Sequence, residues 1–361
     1  MMKRLIAGTA AVLAAALFLS MPVSAISAQK AIVLDGNTGR VLYEKRADEK
    51  SLIASTTKIM TALVVCEQCN VLDRMKIPKE AVGVEGSSLY LKEGEVLTLQ
   101  ELLYGMMLHS GNDAATALAI YCGGTVEGFA ALMNDKARFL GLTGTHFVNP
   151  HGLDAPEHYS SARDLAILAE YAMKNPIFAQ TVSTKSVRIG SRQLTNHNKL
   201  LWRVEGANGV KTGYTKAAGR ILVSAAERQG RCLIAVTIDD GNDWADHAAL
   251  YEQGFSRYEE KQIVKKGQIL GALQVFGGAE ERVEVVAAED FSYALAKEEK
   301  TEIRFGGSGL VYAPVVEGAN AGFAYVCVDG KAVGKVAIKF TKTIEQLLPE
   351  KKSLWQRWFG D

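Results

Sequence analysis

Three short segments carry side chains suited to acyl transfer. The first is Ser55-Thr56-Thr57-Lys58. A serine and a lysine three residues apart share one face of a helix, so the amine can reach the hydroxyl. The start of a helix also favours negative charge on Ser55. A lysine that is partly desolvated and crowded by other cations has a lowered pKa and can act as a base. The second segment, Ser110-Gly111-Asn112, puts a hydroxyl, a flexible glycine and an amide in one turn. The third, Lys211-Thr212-Gly213, sets a cation and a hydroxyl beside a residue with no side chain. Each segment has a plain structural alternative. S-x-x-K occurs by chance on surfaces, Ser110 or Asn112 can cap a helix, and Lys211 can sit solvated in a turn.

Taken together the three segments are far more specific. Their order, 55 residues from Ser55 to Ser110 and 101 from Ser110 to Lys211, suits a nucleophile helix, a helical insertion and a returning strand. The set resembles that of serine β-lactamases and penicillin-binding proteins, which carry S-D-N in second place. The S-G-N form favours the low-molecular-mass penicillin-binding proteins that are D-Ala-D-Ala carboxypeptidases, the peptidase S11 family. Further stretches carry the same resemblance: Phe147-Val148-Asn149-Pro150-His151-Gly152-Leu153, Asn198-Lys199-Leu200-Leu201 and Gly209-Val210-Lys211-Thr212-Gly213-Tyr214-Thr215. The similarity runs from about Ala31 through Phe255.

That resemblance implies an α+β transpeptidase-like fold with a helical subdomain, followed by a small all-β domain. It implies that Ser55 attacks the carbonyl between the two terminal D-alanines of a peptidoglycan stem peptide, with Lys58 as general base. Ser110 would relay a proton to the leaving amine. Asn112 would hold the substrate amide and orient Lys58, while Lys211 and Thr212 would bind the free carboxylate. Gly213 leaves room for the substrate backbone. The N–H groups of Ser55 and Tyr214 would form the oxyanion hole. β-Lactam antibiotics would acylate Ser55 and leave slowly. No cofactor is implied. The six histidines are scattered without the spacing of metal ligands. His151 and His197 receive no catalytic role; beside Asn149-Pro150, a histidine reads as a turn-stabilising hydrogen bonder.

The elements that must position these groups are legible in the periodicity. Lys30–Asp35 and Arg40–Glu44 read as strands joined by Gly36-Asn37-Thr38-Gly39. A helix is expected from Ser55 to Cys66, with Ile59, Met60, Leu63 and Val64 facing the core. More helices follow near Gln100–Leu108, Asp113–Tyr121, Val126–Leu140 and Ala162–Met173. Ile221–Ala226 and Cys232–Ile238 read as a buried hairpin, and Asn242–Phe255 as a closing helix. This order predicts one mixed sheet whose first and last strands come from opposite ends of the domain. After about Glu260, short alternating segments such as Arg282–Ala287, Phe323–Val328 and Lys335–Phe340 predict a β-rich domain. The expected organisation is a signal peptide over 1–25, a peptidase domain over 26–260, a β-domain over 261–340 and an amphipathic anchor over 341–361.

Both ends carry membrane signals. Lys3-Arg4, the apolar run from Leu5 to Leu19 and the small residues of Val23-Ser24-Ala25 read as a signal peptide cleaved after Ala25, with a retained signal anchor as the alternative. From Thr341 on, Ile344, Leu347, Leu348, Leu354, Trp355, Trp358 and Phe359 share one helical arc. Two Trp and a Phe beside basic residues suit a helix lying in the bilayer interface; a helix docked on the protein's own surface is the alternative. Export to the outer face of the cytoplasmic membrane follows. With 41 basic against 40 acidic residues there is no basic excess, and no nucleic-acid partner is expected. Of the five cysteines, Cys66 and Cys69 form a C-x-x-C without the second cluster a zinc site needs, so all five read as buried thiols, with one disulfide left open.

Rival activities leave traces that are missing here. A class A β-lactamase would carry an E-x-x-L-N stretch, yet Glu127, Glu157, Glu170 and Glu205 all lie outside that pattern. A D,D-endopeptidase shares the three motifs, but its relatives usually lack a β-domain. A catalytically silent wall-binding module has no need of Ser55, Lys58, Ser110 and Lys211 together.

Overall fold

Strand β1 (Lys30–Asp35) is apolar from Ala31 to Leu34 because neighbours cover it on both edges and both faces. It pairs with β2 (Val41–Lys45) on one side and β9 (Arg231–Ile238) on the other. The computed structural model describes residues 26–307 and 309–347. They fall into two compact units, one ending at Ser256 and the other beginning at Arg257. The expected signal peptide and residues 348–361 of the expected anchor lie outside the described residues.

In the first unit β7 (Ala207–Thr215), β8 (Gly219–Arg228) and β9 form a meander, and the sheet order is β2-β1-β9-β8-β7. Every pairing is antiparallel, where a mixed sheet was expected. The reason is topological. The helical insertion carries the chain from the β2 edge to the β7 edge, so no strand–crossover–strand unit forms a parallel neighbour. Lys211, Thr212 and Gly213 consequently lie on an edge strand.

The insertion is built around α1 (Lys58–Gln68), on which every side chain from Lys58 to Val65 is buried. A helix apolar nearly all round belongs inside a layer of others. Those are α2 (Leu99–Leu108), α3 (Asn112–Gly123), α4 (Val126–Phe139), α5 (Ala162–Met173) and α6 (Pro176–Ser183). Their starts follow capping chemistry: a Thr98–Glu101 capping box for α2, Thr125 for α4, Ser161 for α5 and Asn175 followed by Pro176 for α6. Sequence periodicity missed α6 and two short pairs, β3 (Arg74–Lys76) with β4 (Val96–Thr98) and β5 (Ser186–Ile189) with β6 (Arg192–Thr195). These are too short for a period to emerge. A short α7 (Leu200–Arg203) precedes β7, and α8 (Asp243–Arg257) closes the unit. Buried His247 ties α8 to the sheet through Ser224 Oγ at 2.6 Å and Thr237 Oγ1 at 2.9 Å.

Two expectations need correction. Cys69 and Cys122 are joined as a disulfide, Cα to Cα 6.5 Å; the sequence leaves one bridge open beside a reading of buried thiols, and the partner of Cys69 is Cys122 rather than its neighbour Cys66. Cys69 lies past the end of α1 in extended conformation, so it turns away from Cys66 on the helix and toward the end of α3. Cys66, Cys232 and Cys327 remain thiols. The second correction concerns the start of the tail. Residues 341–347 are not helical: Ile344 bridges Val315, Gln346 bridges Gly278, and the Ile344 side chain is buried with Val285, Val315 and Phe340. The neighbouring strands offer open hydrogen-bonding edges, and burying Ile344 in the β-core outweighs a place on an amphipathic arc.

Among its described residues the second unit is all β. Strands β10 (Tyr258–Val264) and β13 (Phe291–Ala296) pair on their own. The remaining six form one sheet: β11 (Ile269–Phe276), β12 (Arg282–Ala287), β14 (Thr301–Phe305), β15 (Leu310–Tyr312), β16 (Asn320–Val328) and β17 (Lys331–Phe340), in the order β14-β16-β17-β12-β11-β15.

Candidate active site

Ser55 sits in a 3-10 turn, Ala54–Thr57, immediately before α1, rather than in the helix itself. Ala54 holds φ at +44°, in the left-handed region. The turn is braced from below by Asn149–Leu153. Asn149 Oδ1 accepts from the N–H of Gly152 at 2.7 Å, and its Nδ2 donates to the Leu153 carbonyl at 2.9 Å. Gly152 has φ +90°, and a Cβ there would lie 1.8 Å from the Ala54 carbonyl oxygen. Only glycine lets this turn reach the backbone of the nucleophile.

Lys58 has no exposed surface. Its Nζ lies 3.0 Å from Ser55 Oγ, 2.7 Å from Asn112 Oδ1 and 2.7 Å from the His151 carbonyl. Burial pushes its pKa well below the ordinary lysine value, the nearby Lys211 ammonium pushes it further, and Asp113 opposes both. A neutral amine donates two protons, to Asn112 and His151, and offers its lone pair to the Ser55 hydroxyl. That is the geometry of a general base.

Ser110 and Asn112 come to the same place from the turn before α3. Gly111 occupies the cap position and neither side chain caps the helix, so the plain helix-cap alternative does not hold. Ser110 has φ +67°, a left-handed conformation that is rare for serine and recurs at functional sites. Asn112 spends one Nδ2 proton on the Glu85 carbonyl at 2.5 Å, leaving the other for a ligand. Gly86 makes room for it, since a Cβ there would lie 2.7 Å from Asn112 Nδ2.

On β7, a Cβ at Gly213 would lie 3.3 Å from the Ser55 nitrogen and 3.2 Å from the Ile53 carbonyl oxygen. The strand therefore runs close past Ser55, and among the described residues no strand pairs with its outer edge. Lys211 is buried, donates to the Thr212 carbonyl at 3.0 Å, and is pushed down by burial to about 7. Tyr214 is exposed. Ser55, Ser110, Thr212, Gly213 and Tyr214 line one cleft of about 370 Å³, with Ser87, His197, Lys199, Arg220 and Trp244 completing its walls. All eight residues singled out from the sequence thus converge on one site.

Sequence reasoning missed several supports. Asp113 accepts from the N–H groups of Leu89 at 3.0 Å and Leu91 at 3.1 Å and from Ser88 Oγ at 2.7 Å, pinning the loop that borders Asn112. Its position directly after S-G-N was the available signal. His158 accepts at Nδ1 from the Val148 N–H at 3.1 Å, so its Nε2–H donates to Thr57 Oγ1 at 2.7 Å; burial lowers its pKa to about 4. No local pattern announces that contact across 101 residues. His151 acts as a turn stabiliser, accepting at Nδ1 from the Leu153 N–H at 3.2 Å. His197 packs its ring 5.0 Å from that of His109, and burial together with Lys211 lowers its pKa to about 4.

Comparison with known proteins agrees with this architecture. Residues 18–242 match the peptidase S11 family, described as D-alanyl-D-alanine carboxypeptidase, and residues 258–346 match the C-terminal domain of penicillin-binding protein 5. The chain is 32% identical to D-alanyl-D-alanine carboxypeptidase DacF of Bacillus subtilis, over 85% of this chain and 83% of that one. It is 30% identical to DacA of Escherichia coli, over 93% and 89%. Among solved structures, penicillin-binding protein 5 of Haemophilus influenzae superposes with a TM-score of 0.79 at 28% identity, covering 91% of this chain and 100% of that one. The Streptomyces K15 DD-transpeptidase gives 0.63 at 36% identity, covering 65% and 100%.

The two lysines predict the pH profile of Ser55 acylation. As pH falls, Lys58 takes up a proton and the acylation rate should drop with it. As pH rises past about 7, Lys211 loses its charge and affinity for an anionic acyl donor should weaken. Stopped-flow acylation by a chromogenic β-lactam between about pH 4 and 10 separates the two limbs, one in the rate constant and the other in the dissociation constant. A flat profile contradicts both assignments.

Proposed function

The chain belongs to the D-alanyl-D-alanine carboxypeptidase family, peptidase S11, and from that premise we propose that Ser55, Lys58 and Ser110 perform its chemistry while Asn112, Lys211, Thr212, Gly213 and Tyr214 hold the substrate. The enzyme is a serine-type carboxypeptidase that removes the terminal D-alanine from peptidoglycan stem pentapeptides and binds β-lactams. The observation that carries the residue assignment is the fully buried Lys58 amine, 3.0 Å from Ser55 Oγ.

The substrate lies along the outer edge of β7, with its scissile carbonyl oxygen directed at the N–H groups of Ser55 and Tyr214. Ser55 Oγ attacks and its proton passes to Lys58. Ser110 hands a proton to the leaving D-alanine amine, and Lys211 and Thr212 hold the departing carboxylate. Asn112 fixes the acyl-side amide with its second Nδ2 proton. Water then enters where the amine left, gives its proton back along the same path, and frees Ser55. A β-lactam acylates Ser55 by the same route, but its leaving group stays tethered in the water's way.

The enzyme acts outside the cytoplasm in this reading. The basic start, apolar run and small residues before Ile26 support export. Leu348, Leu354, Trp355, Trp358 and Phe359 support attachment to the membrane surface. The attachment begins after Leu347, because Ile344 belongs to the β-core.

Mass spectrometry after benzylpenicillin treatment should find one stable adduct, on the peptide carrying Ser55. Ser55→Ala should abolish it, and Lys58→Ala should slow its formation by about 10²- to 10⁴-fold. An adduct elsewhere contradicts the assignment. Deleting everything after Leu347 should move the protein from the membrane to the soluble fraction with penicillin binding intact; retention at the membrane contradicts the anchor.

A further inference from the structure

Just after the expected cleavage point, the chain lies against two carboxylates that lack a counter-charge. Asp240 precedes α8 and Asp246 sits in its first turn, and both are buried. Ser27 reaches both of them. Its Oγ is 2.6 Å from Asp240 Oδ1 and 2.9 Å from Asp246 Oδ2, and its N–H donates to Asp246 Oδ2 at 2.6 Å. The Asn242 N–H donates to Asp240 Oδ1 at 3.0 Å.

Too few protons face these oxygens. A hydroxyl has one, so Ser27 satisfies only one of its two side-chain contacts. With both carboxylates ionised, the other contact sets lone pair against lone pair. Among the described residues Asp240 Oδ2 is buried without a hydrogen-bond partner, and no lysine, arginine or histidine forms an ion pair with either carboxylate. The Thr237 hydroxyl is close to Asp240, but its hydrogen bond runs to His247 Nε2 at 2.9 Å. Burial pushes the Asp240 carboxyl up, and the Asp246 charge adds to this. Tyr43 on β2 is a neutral phenol, raised by burial and by Asp246, and Lys45 spends its amine on the Ala28 carbonyl at 2.6 Å. The start of α8 favours negative charge nearby, yet it gives Asp240 Oδ2 no donor.

The chain carries a cation suited to the place. Ile26 is buried and directly precedes Ser27. Standard bond lengths put its nitrogen about 3–4 Å from that of Ser27, hence within about 6 Å of Asp246 Oδ2. Before cleavage that nitrogen is an amide. Cleavage after Ala25 turns it into an ammonium with three donors, at a range where an opposite charge stabilises a carboxylate. The helix end so engaged borders the catalytic cleft. Asp243, in the same turn as Asp246, accepts from Arg220 at 2.7 Å and lines the cleft with Trp244.

We propose that Asp240 and Asp246 are the seat of the Ile26 α-ammonium, so that removal of the signal peptide supplies the missing charge and ties the new N-terminus to the helix that walls the cleft. This rests on the reading of export with cleavage after Ala25. The exported full-length product is first sequenced from its N-terminus, which should be Ile26. Competitive labelling of the α-amine with trace acetic anhydride across pH then reads its titration. The midpoint should lie at least about one unit above the ordinary α-amine value of about 7.7–8.0. Asp240→Asn combined with Asp246→Asn should return it toward that value. A chain that keeps Ala25 as its first residue should melt about 2–4 °C below the Ile26 chain, and the paired Asn substitutions should cost it less in Tm than they cost the Ile26 chain. An Ile26 amine that titrates at about 8, or equal melting of the two chains, overturns the proposal and leaves the export reading intact. A product that does not begin at Ile26 overturns that reading and the proposal with it.

Discussion

Lys58 has no exposed surface and lies in the field of Lys211. A lysine charge is costly to bury, and a second cation nearby adds to the cost, so both effects favour the neutral amine. The site is arranged around that preference. Asn112 Oδ1 and the His151 carbonyl take two N–H protons and leave the lone pair directed at Ser55. Keeping those acceptors in place requires the Asn149–Leu153 turn, which in turn requires Gly152 against Ala54. It also requires the loop that Asp113 pins beside Asn112. Much of the helical insertion can be read as packing that keeps water away from one amine.

The sheet supplies the other half of the problem, a surface on which a peptide end can lie. An all-antiparallel sheet ending in β7 leaves one edge open beside the nucleophile, and Gly213 lets that edge approach Ser55. Acyl transfer then needs no moving part. The proposed nucleophile and base, relay hydroxyl and carboxylate-binding groups come from three separate segments of the chain, and burial or short hydrogen bonds hold Lys58, Asn112 and Lys211 before any substrate arrives. Pre-positioning of this kind lowers the entropic part of the barrier.

The eight residues proposed for the site could be picked out as candidates because each belongs to a short motif whose residue types only make sense together. The helices were readable where they were long and capped, and Ala162–Met173 matches its expected bounds. What escaped detection is non-local. The His158–Thr57 contact, the Cys69–Cys122 disulfide and the Arg220–Asp243 pair each depend on how distant segments fold back on one another. Nothing in their immediate sequence marks them. The tail misled for a related reason: Ile344 fits an amphipathic helix by period, yet strand edges already present in the β-unit compete for it and win. Expecting the Ser55 helix to begin at Ser55 was a smaller error of the same kind. The left-handed Ala54 and its tight turn serve the site and not the helix.

The protonation state of Lys58 is the claim on which the rest stands. It can be read directly by NMR titration of the full chain labelled with ¹³C at lysine Cε, the Lys58 resonance being assigned through its loss in Lys58→Arg. The account predicts a midpoint well below the ordinary lysine range, with the amine neutral where the enzyme is most active. A Lys58 resonance that stays protonated until about pH 10, like a solvated lysine, contradicts it.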